Sequence, residues 1–498
     1  MNLTFRVLAA AVGATLAALI APPASALPAP GPAATADTTA LAAAESIEPP
    51  AATPALSWRD CGPGLQCAAL PLPTDHAAVG SPRFDLALAR FPARDQSRRL
   101  GSIVVNPGGP AAILDLLPHL RTQFTDLTEW FDVVLFDPRG LGRSAGISCP
   151  TPAPMPLEWA FPSEAAHREY TERSRAFGAG CTAAAGALAG KLDSWQVAHD
   201  LDALRAALGE SRLRYLGNSY GTVFGQAYLS LFPQRAGRFF LDSVYDHTNR
   251  SQRDWVASRA AVTERNLHRF AQWCDRTPSC ALHGRDLVRV WTELVARAEQ
   301  QPIPAPSAVH GGPGTAARII SSTFVDFERE WPRLAEGIAE ADAGDAGKLV
   351  GVPSIPVETD VNRLINCSDF AYPTGYAEVS RIVADVRATV APLLGWRHAW
   401  VNVLKCTGFP AVKPFAPQPI RPAFRPPSLL ADGIHDAVST VEYGRRLTAQ
   451  LPGSRHIAVD GAHANYLYGA NRCLRDHVHR YLTTGALPPN GTTCPANP

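Results

Sequence analysis

A serine stands between two glycines in the stretch Gly217-Asn218-Ser219-Tyr220-Gly221, directly after the apolar residues Tyr215 and Leu216. A serine hydroxyl is a poor nucleophile at neutral pH until a histidine takes its proton, and that histidine needs a carboxylate to fix its tautomer. A bare GxSxG arises by chance about 0.1 to 0.2 times in a chain of this length, so its context carries the weight. Here a strand precedes it, a helix follows, and the flanking glycines allow the sharp turn that leaves Oγ exposed at the carboxyl end of a sheet. The helix that begins there aims its first N–H groups at the same point. His463, in a Gly-Ala-His loop after the strand that ends at Val459, stands where the base is expected. His456 lies within that strand and His435 next to a candidate acid, and both read as packing or surface residues. Asp432 and Asp436 both follow the strand beginning at Ser428; one of them orients the histidine and the other caps or closes a turn. An oxyanion needs two backbone donors. The Tyr220 N–H supplies one, and the Gly109 N–H of "NPGGP" the other. Such a set performs acyl transfer without a cofactor. Neither a CxxC pair nor an HExxH helix occurs, so no metal is expected.

The elements that must hold these residues are legible as short apolar runs alternating with helical patterns, which predicts an α/β fold with a mostly parallel sheet and crossover helices. "SIVVNPGGP" and "FDVVLFDPRGLGRS" each read as a strand ending in a glycine loop. Val197, Leu201, Leu204 and Leu208 recur at helical spacing, with Ser194 as N-cap and Gly209 as stop. After the strand "RFFLDSV" the next clear strand comes only at Ser428, and the intervening pattern is helical. The chain therefore divides into a core over 57–246, a mainly helical lid over 247–426, and the rest of the core over 427–498.

Composition narrows the function. With 498 residues, net charge +1 and pI near 7.6, the chain has neither a basic face for nucleic acid nor an acidic tail. Arg6, an apolar run and Ala24-Ser25-Ala26 form a signal-peptide pattern over 1–26, too short and too proline-interrupted for stable membrane insertion. Residues 27–56, rich in Ala and Pro, read as a disordered leader or pro-segment. Secretion favours disulfides, and the ten cysteines fall into neighbouring couples: Cys61 with Cys67, Cys149 with Cys181, Cys274 with Cys280, Cys367 with Cys406, and Cys473 with Cys494. Bonded so, the third and fourth couples would staple the lid and the fifth would tie down the tail.

Taken together, "NPGGP", "FDVVLFDPRGLGRS", "GNSYGT", the "GIHD" turn, "DGAH" and the ending "YLTTGALPPNGTTC" resemble the secreted tripeptidyl aminopeptidase branch of the α/β-hydrolases, related to prolyl iminopeptidases. The resemblance spans Trp58 to Cys494. It implies Ser219 as nucleophile, Asp436 of the GxxD turn as the orienting acid and His463 as base, in the chain order Ser, Asp, His. It also implies an exopeptidase whose substrate is a peptide with a free N-terminus. An ammonium entering a partly dehydrated pocket needs a carboxylate partner; lid glutamates play that part in prolyl iminopeptidases, and here Glu328, Glu330 and Asp369 are the candidates, with Asp326 beside them. The chain departs from the family in Ala111-Ala112-Ile113 after "NPGGP", in "AVST" after the GxxD turn, and in a histidine loop one residue shorter. A carboxylesterase on the same fold is the alternative, and a non-catalytic cell-wall or partner-binding protein a more distant one.

Overall fold

The computed structural model describes residues 56–154, 163–308, 312–350, 360–370, 375–409, 415–420 and 426–497. The expected signal segment and leader lie outside the described residues, apart from Leu56. The described residues form ten strands: β1 (Arg59–Gly62), β2 (Leu65–Pro73), β3 (Arg83–Phe91), β4 (Ser102–Asn106), β5 (Asp132–Phe136), β6 (Leu213–Asn218), β7 (Ala236–Asp242), β8 (Leu429–Gly433), β9 (Arg455–Val459) and β10 (Thr493–Cys494). They make one sheet in the order β1-β2-β3-β5-β4-β6-β7-β8-β9-β10. From β5 to β10 all neighbours are parallel; β1, β2 and β3 add an antiparallel edge.

The central parallel strands β4, β5 and β6 are largely apolar because both faces are covered. Successive side chains point to opposite faces. Val104, Val134, Tyr215 and Leu430 enter one core, while Ile103, Val105, Val133, Leu135, Leu216 and Leu429 enter the other. The longer helices are α1 (Glu164–Ala184), α2 (Ser194–Ala207), α3 (Gly221–Leu231), α4 (Gln252–Arg276), α5 (Leu287–Gln300), α6 (Ala316–Ser322), α7 (Trp331–Asp342), α8 (Asp360–Asp369), α9 (Tyr376–Thr389), α10 (Arg397–Leu404), α11 (Val441–Ala449) and α12 (Arg472–Thr484). The segment between β7 and β8 carries α4 to α10 and, among the described residues, no strand. No described helix is long and apolar enough to cross a membrane.

Helix α2 corrects one detail. Its N-cap is Asp193, whose carboxylate accepts the N–H groups of Trp195 (3.0 Å) and Gln196 (3.3 Å). Ser194 is the first helical residue, and its hydroxyl donates to Asp369 instead (2.8 Å). The helix stops as expected at Gly209, which takes φ +73°.

The ten cysteines pair as neighbours. Cys61 of β1 is bonded to Cys67 of β2, closing the first hairpin. Cys149 is bonded to Cys181 near the end of α1, which holds the loop after β5 to that helix. Within the insertion, Cys274 in the last turn of α4 is bonded to Cys280, and Cys367 of α8 to Cys406 just after α10. Cys473 of α12 is bonded to Cys494 of β10 and so fastens the last strand to the last helix. No described cysteine is free.

Candidate active site

Ser219 leaves β6 with φ +52° and enters α3 at once. That conformation strains any residue with a Cβ, and it is sustained by close backbone packing. A Cβ on Gly217 would lie 2.6 Å from the Gly221 carbonyl oxygen, and one on Gly221 would lie 2.4 Å from that of Asn106. Both flanking glycines are therefore required by the approach of β4 and of the first turn of α3. The Tyr215 hydroxyl locks the turn by donating to the Gly221 carbonyl (2.7 Å).

The glycine loop after β4 packs against the same point. A Cβ on Gly108 (φ +99°) would meet the Asn218 carbonyl oxygen at 2.5 Å, Ser219 Cβ at 2.8 Å and the Tyr220 nitrogen at 3.1 Å. Asn218 Nδ2 donates to the Pro107 carbonyl (2.9 Å), and the Gly108 N–H donates to Asn106 Oδ1 (2.9 Å). No such bond engages the Gly109 N–H among the described residues. Behind the loop, buried Asp137 accepts the N–H groups of Leu114 and Arg143, each at 2.8 Å. This explains the aspartate in "LFDPRG": it anchors the residues that follow "NPGGP".

Across the sheet, His463 Nδ1 bonds Asp436 Oδ2 at 2.7 Å. The other Asp436 oxygen accepts the N–H groups of Val438 (2.7 Å) and Ser439 (2.9 Å), which fixes the carboxylate. The Asp436 side chain is 1% exposed and that of His463 22%. Burial disfavours the imidazolium, but the charge and hydrogen bond of Asp436, reinforced by Asp242, outweigh it and hold His463 above its ordinary value. Asp432 is engaged elsewhere, accepting the Val244 N–H (2.6 Å) and meeting His456 Nε2 at 2.8 Å. Burial pushes Asp432 well up and His456 down to about 4, so both groups of that pair tend to neutrality. His435 pairs with exposed Asp460 (2.9 Å). Of Asp432, within β8, and Asp436, just beyond it, the structure brings Asp436 to His463.

Among the described residues no hydrogen bond joins Ser219 Oγ to His463; such contacts are often long before substrate binds. The two are coupled through Asp242 and Ser243, a connection the sequence reading missed. The Ser219 N–H donates to the Asp242 carbonyl (3.0 Å), the Asp242 carboxylate accepts the Tyr466 N–H (2.8 Å), and Ser243 Oγ accepts the Ala464 N–H (2.8 Å). One dipeptide at the end of β7 thus holds both the serine turn and the histidine loop. The "LDSV" letters at a strand end were the available signal.

Asp242 is fully buried, its Oδ1 has no hydrogen-bond partner among the described residues, and burial raises its pKa to about 7. A carboxyl raised in the fold from about 3.8 costs stability as pH rises between those two values. Asp242→Asn is expected to gain melting temperature relative to wild type progressively from about pH 4 to about pH 7 and then level off. A pH-independent difference between the two proteins would contradict this account of Asp242.

The predicted substrate acids are placed differently from the expectation. Asp369 is fully buried, accepting the Ser194 N–H (2.7 Å) and hydroxyl (2.8 Å) on one oxygen and the Tyr220 hydroxyl (2.6 Å) on the other. It fastens the residue after Ser219 to α2 and α8 and offers no open carboxylate to an ammonium. Asp326 is likewise engaged, by Thr263 (2.9 Å) and Asn266 (2.9 Å). Glu328 pairs with Arg269, and Glu330 contacts Arg329 and Arg333, each at 3.5 Å. Lying among arginines, neither glutamate is an unopposed negative charge.

A family model described as "alpha/beta hydrolase fold" matches residues 101–470, from just before β4 to beyond His463. The chain belongs to the α/β-hydrolase family. Within it, this hydrolase falls in the tripeptidyl aminopeptidase branch. It is 30% identical over 480 residues to a tripeptidyl aminopeptidase of Streptomyces coelicolor, covering 89% of this chain and 86% of that one. It is 29% identical over 468 residues to the serine protease Hip1 of Mycobacterium tuberculosis, covering 86% of this chain and 87% of the relative. Carboxylesterase B of the same species is 26% identical over 482 residues, covering 89% and 91%.

Proposed function

We propose that this α/β-hydrolase is a secreted serine aminopeptidase that releases short peptides, tripeptides foremost, from free N-termini through an acyl-enzyme. The observation that carries the mechanism is the 2.7 Å bond from His463 Nδ1 to a buried Asp436 carboxylate. With Nδ1 held in this way, Nε2 is the nitrogen available to take the Ser219 proton as Oγ attacks the carbonyl carbon. The oxyanion that forms rests on the Tyr220 and Gly109 N–H groups, beside which Gly108 packs too closely to bear a side chain. Protonated His463 then gives its proton to the departing amine, and a water deprotonated by the same nitrogen hydrolyses the ester. Every proton moves through one imidazole. Five disulfides and the N-terminal signal pattern support secretion, with the helical insertion acting as lid over the site.

A triad does not choose between amide and ester, and the similarity to a carboxylesterase favours the esterase as second reading. A panel of chromogenic substrates decides between them. The aminopeptidase should cleave peptides with a free amine at least about tenfold better in kcat/KM than their N-acetylated forms, a difference of about 1.4 kcal/mol in favour of the free amine. Equal cleavage of the two sets would refute the exopeptidase reading and leave the esterase or an endopeptidase.

A further inference from the structure

The structure contains an open cleft of about 520 Å³ that meets the proposed catalytic residues only at His463. Neither Ser219, Gly109 nor Tyr220 lines it; Phe327 and Arg329 of the insertion face the histidine loop across it. In acyl transfer the imidazolium hands its proton to the leaving group, so the leaving group lies against the histidine while the acyl part lies at the serine and oxyanion donors. A cleft that meets His463 but neither the serine nor the oxyanion donors fits the leaving-group side better than the acyl side.

Most polar groups of its wall already have partners. Asn465 donates to the Ala462 carbonyl (2.8 Å), Asn471 caps α12 and donates to the Pro495 carbonyl (2.7 Å), and Asn497 donates to the Gly469 carbonyl (2.7 Å). Asp460 meets His435. The Arg329 side chain is 78% exposed, lies 5.3 Å from the centre of the Phe327 ring, and has one 3.5 Å contact to Glu330, which Arg333 shares. Tyr468 is 57% exposed. Besides the half-exposed Asp460 carboxylate, the cleft thus presents a cation on an aromatic platform and an open tyrosine ring.

We infer that this cleft receives the leaving peptide and that Arg329 makes the enzyme prefer an acidic residue immediately after the scissile bond. The inference rests on the peptidase reading and adds its leaving-side specificity. The test uses one N-terminal tripeptide joined to peptides that begin with Asp, Ala or Lys, with hydrolysis followed by product analysis at low and high salt. Wild type should show a kcat/KM about three- to fivefold higher for the Asp than for the Lys peptide, the scale of one exposed ion pair, shrinking at high salt. Arg329→Gln should bring that ratio close to one. Arg333→Gln, which removes a neighbouring cation outside the cleft, should keep the wild-type ratio. A wild-type ratio near one, or a ratio unchanged in Arg329→Gln, overturns the assignment of Arg329 while leaving the peptidase reading intact. Hydrolysis of simple esters with none of the peptides cleaved overturns the peptidase reading and the leaving-peptide subsite together.

Discussion

Replacing Ser219 with alanine is expected to lower kcat/KM by about 10⁴- to 10⁶-fold on every substrate the enzyme accepts. The substitution removes the only atom that forms the acyl bond and changes little else. Alanine keeps the Cβ, so the strain of φ +52° and the contact with Gly108 are the same in both proteins. The hydrogen bonds that hold the turn involve the Ser219 N–H and carbonyl, which the variant retains. Melting temperature should accordingly be close to that of wild type. Steady-state kinetics on protein free of contaminating peptidases, alongside a thermal melt, separates lost chemistry from lost structure. Wild-type turnover in a folded variant would remove Ser219 from the mechanism.

Asp436→Asn is expected to lower kcat by about 10³- to 10⁴-fold, because an amide can present its N–H to Nδ1, select the wrong tautomer and leave the imidazolium uncompensated. The same change should alter the pH profile. In wild type the Asp436 charge holds His463 above its ordinary value, so kcat/KM should rise with pH through a limb above that of a free imidazole. Without that charge the limb of the residual activity should move to lower pH. Asp432→Asn tests the assignment, since Asp432 contacts His456 and the Val244 N–H. Its kcat should fall less than about tenfold, the loss of one hydrogen-bonded contact away from the reacting atoms. The opposite ranking of the two variants would identify Asp432 as the orienting acid.

The parts of this site that follow from local chemistry were legible in the sequence. Ser219 between glycines, the glycine loop at Gly108-Gly109 and the strand-end position of His463 each reflect a backbone that must turn sharply, and sharp turns constrain residue type. The central parallel strands were readable because burial on both faces makes them mostly apolar. The cysteine pairing was readable too, because couples such as Cys61 with Cys67 and Cys274 with Cys280 lie close along the chain and meet without help from the rest of the fold. What depended on long-range contact was not legible. The antiparallel edge escaped because β2 contains Pro71 and Pro73, which argue against a strand, yet their positions suit one near a sheet edge. The N-cap of α2 passed from Ser194 to Asp193 because Asp369, far away in sequence, takes the Ser194 hydroxyl. The same contact explains why Asp369 is no open anchor. An aspartate in an insertion reads alike whether it faces solvent, substrate or Tyr220, and only the fold distinguishes the three. Asp242 was equally hidden: its carboxylate serves Tyr466, 224 positions later in the chain.

The most direct check on the central claim is to treat the enzyme with a fluorophosphonate, which phosphonylates a serine only when a neighbouring base has activated it, and to map the adduct by peptide mass spectrometry. The account predicts one equivalent of label on Ser219, coincident with complete loss of activity and absent from Ser219→Ala. Label on a different serine, or undiminished labelling of the Ser219→Ala protein, would contradict it.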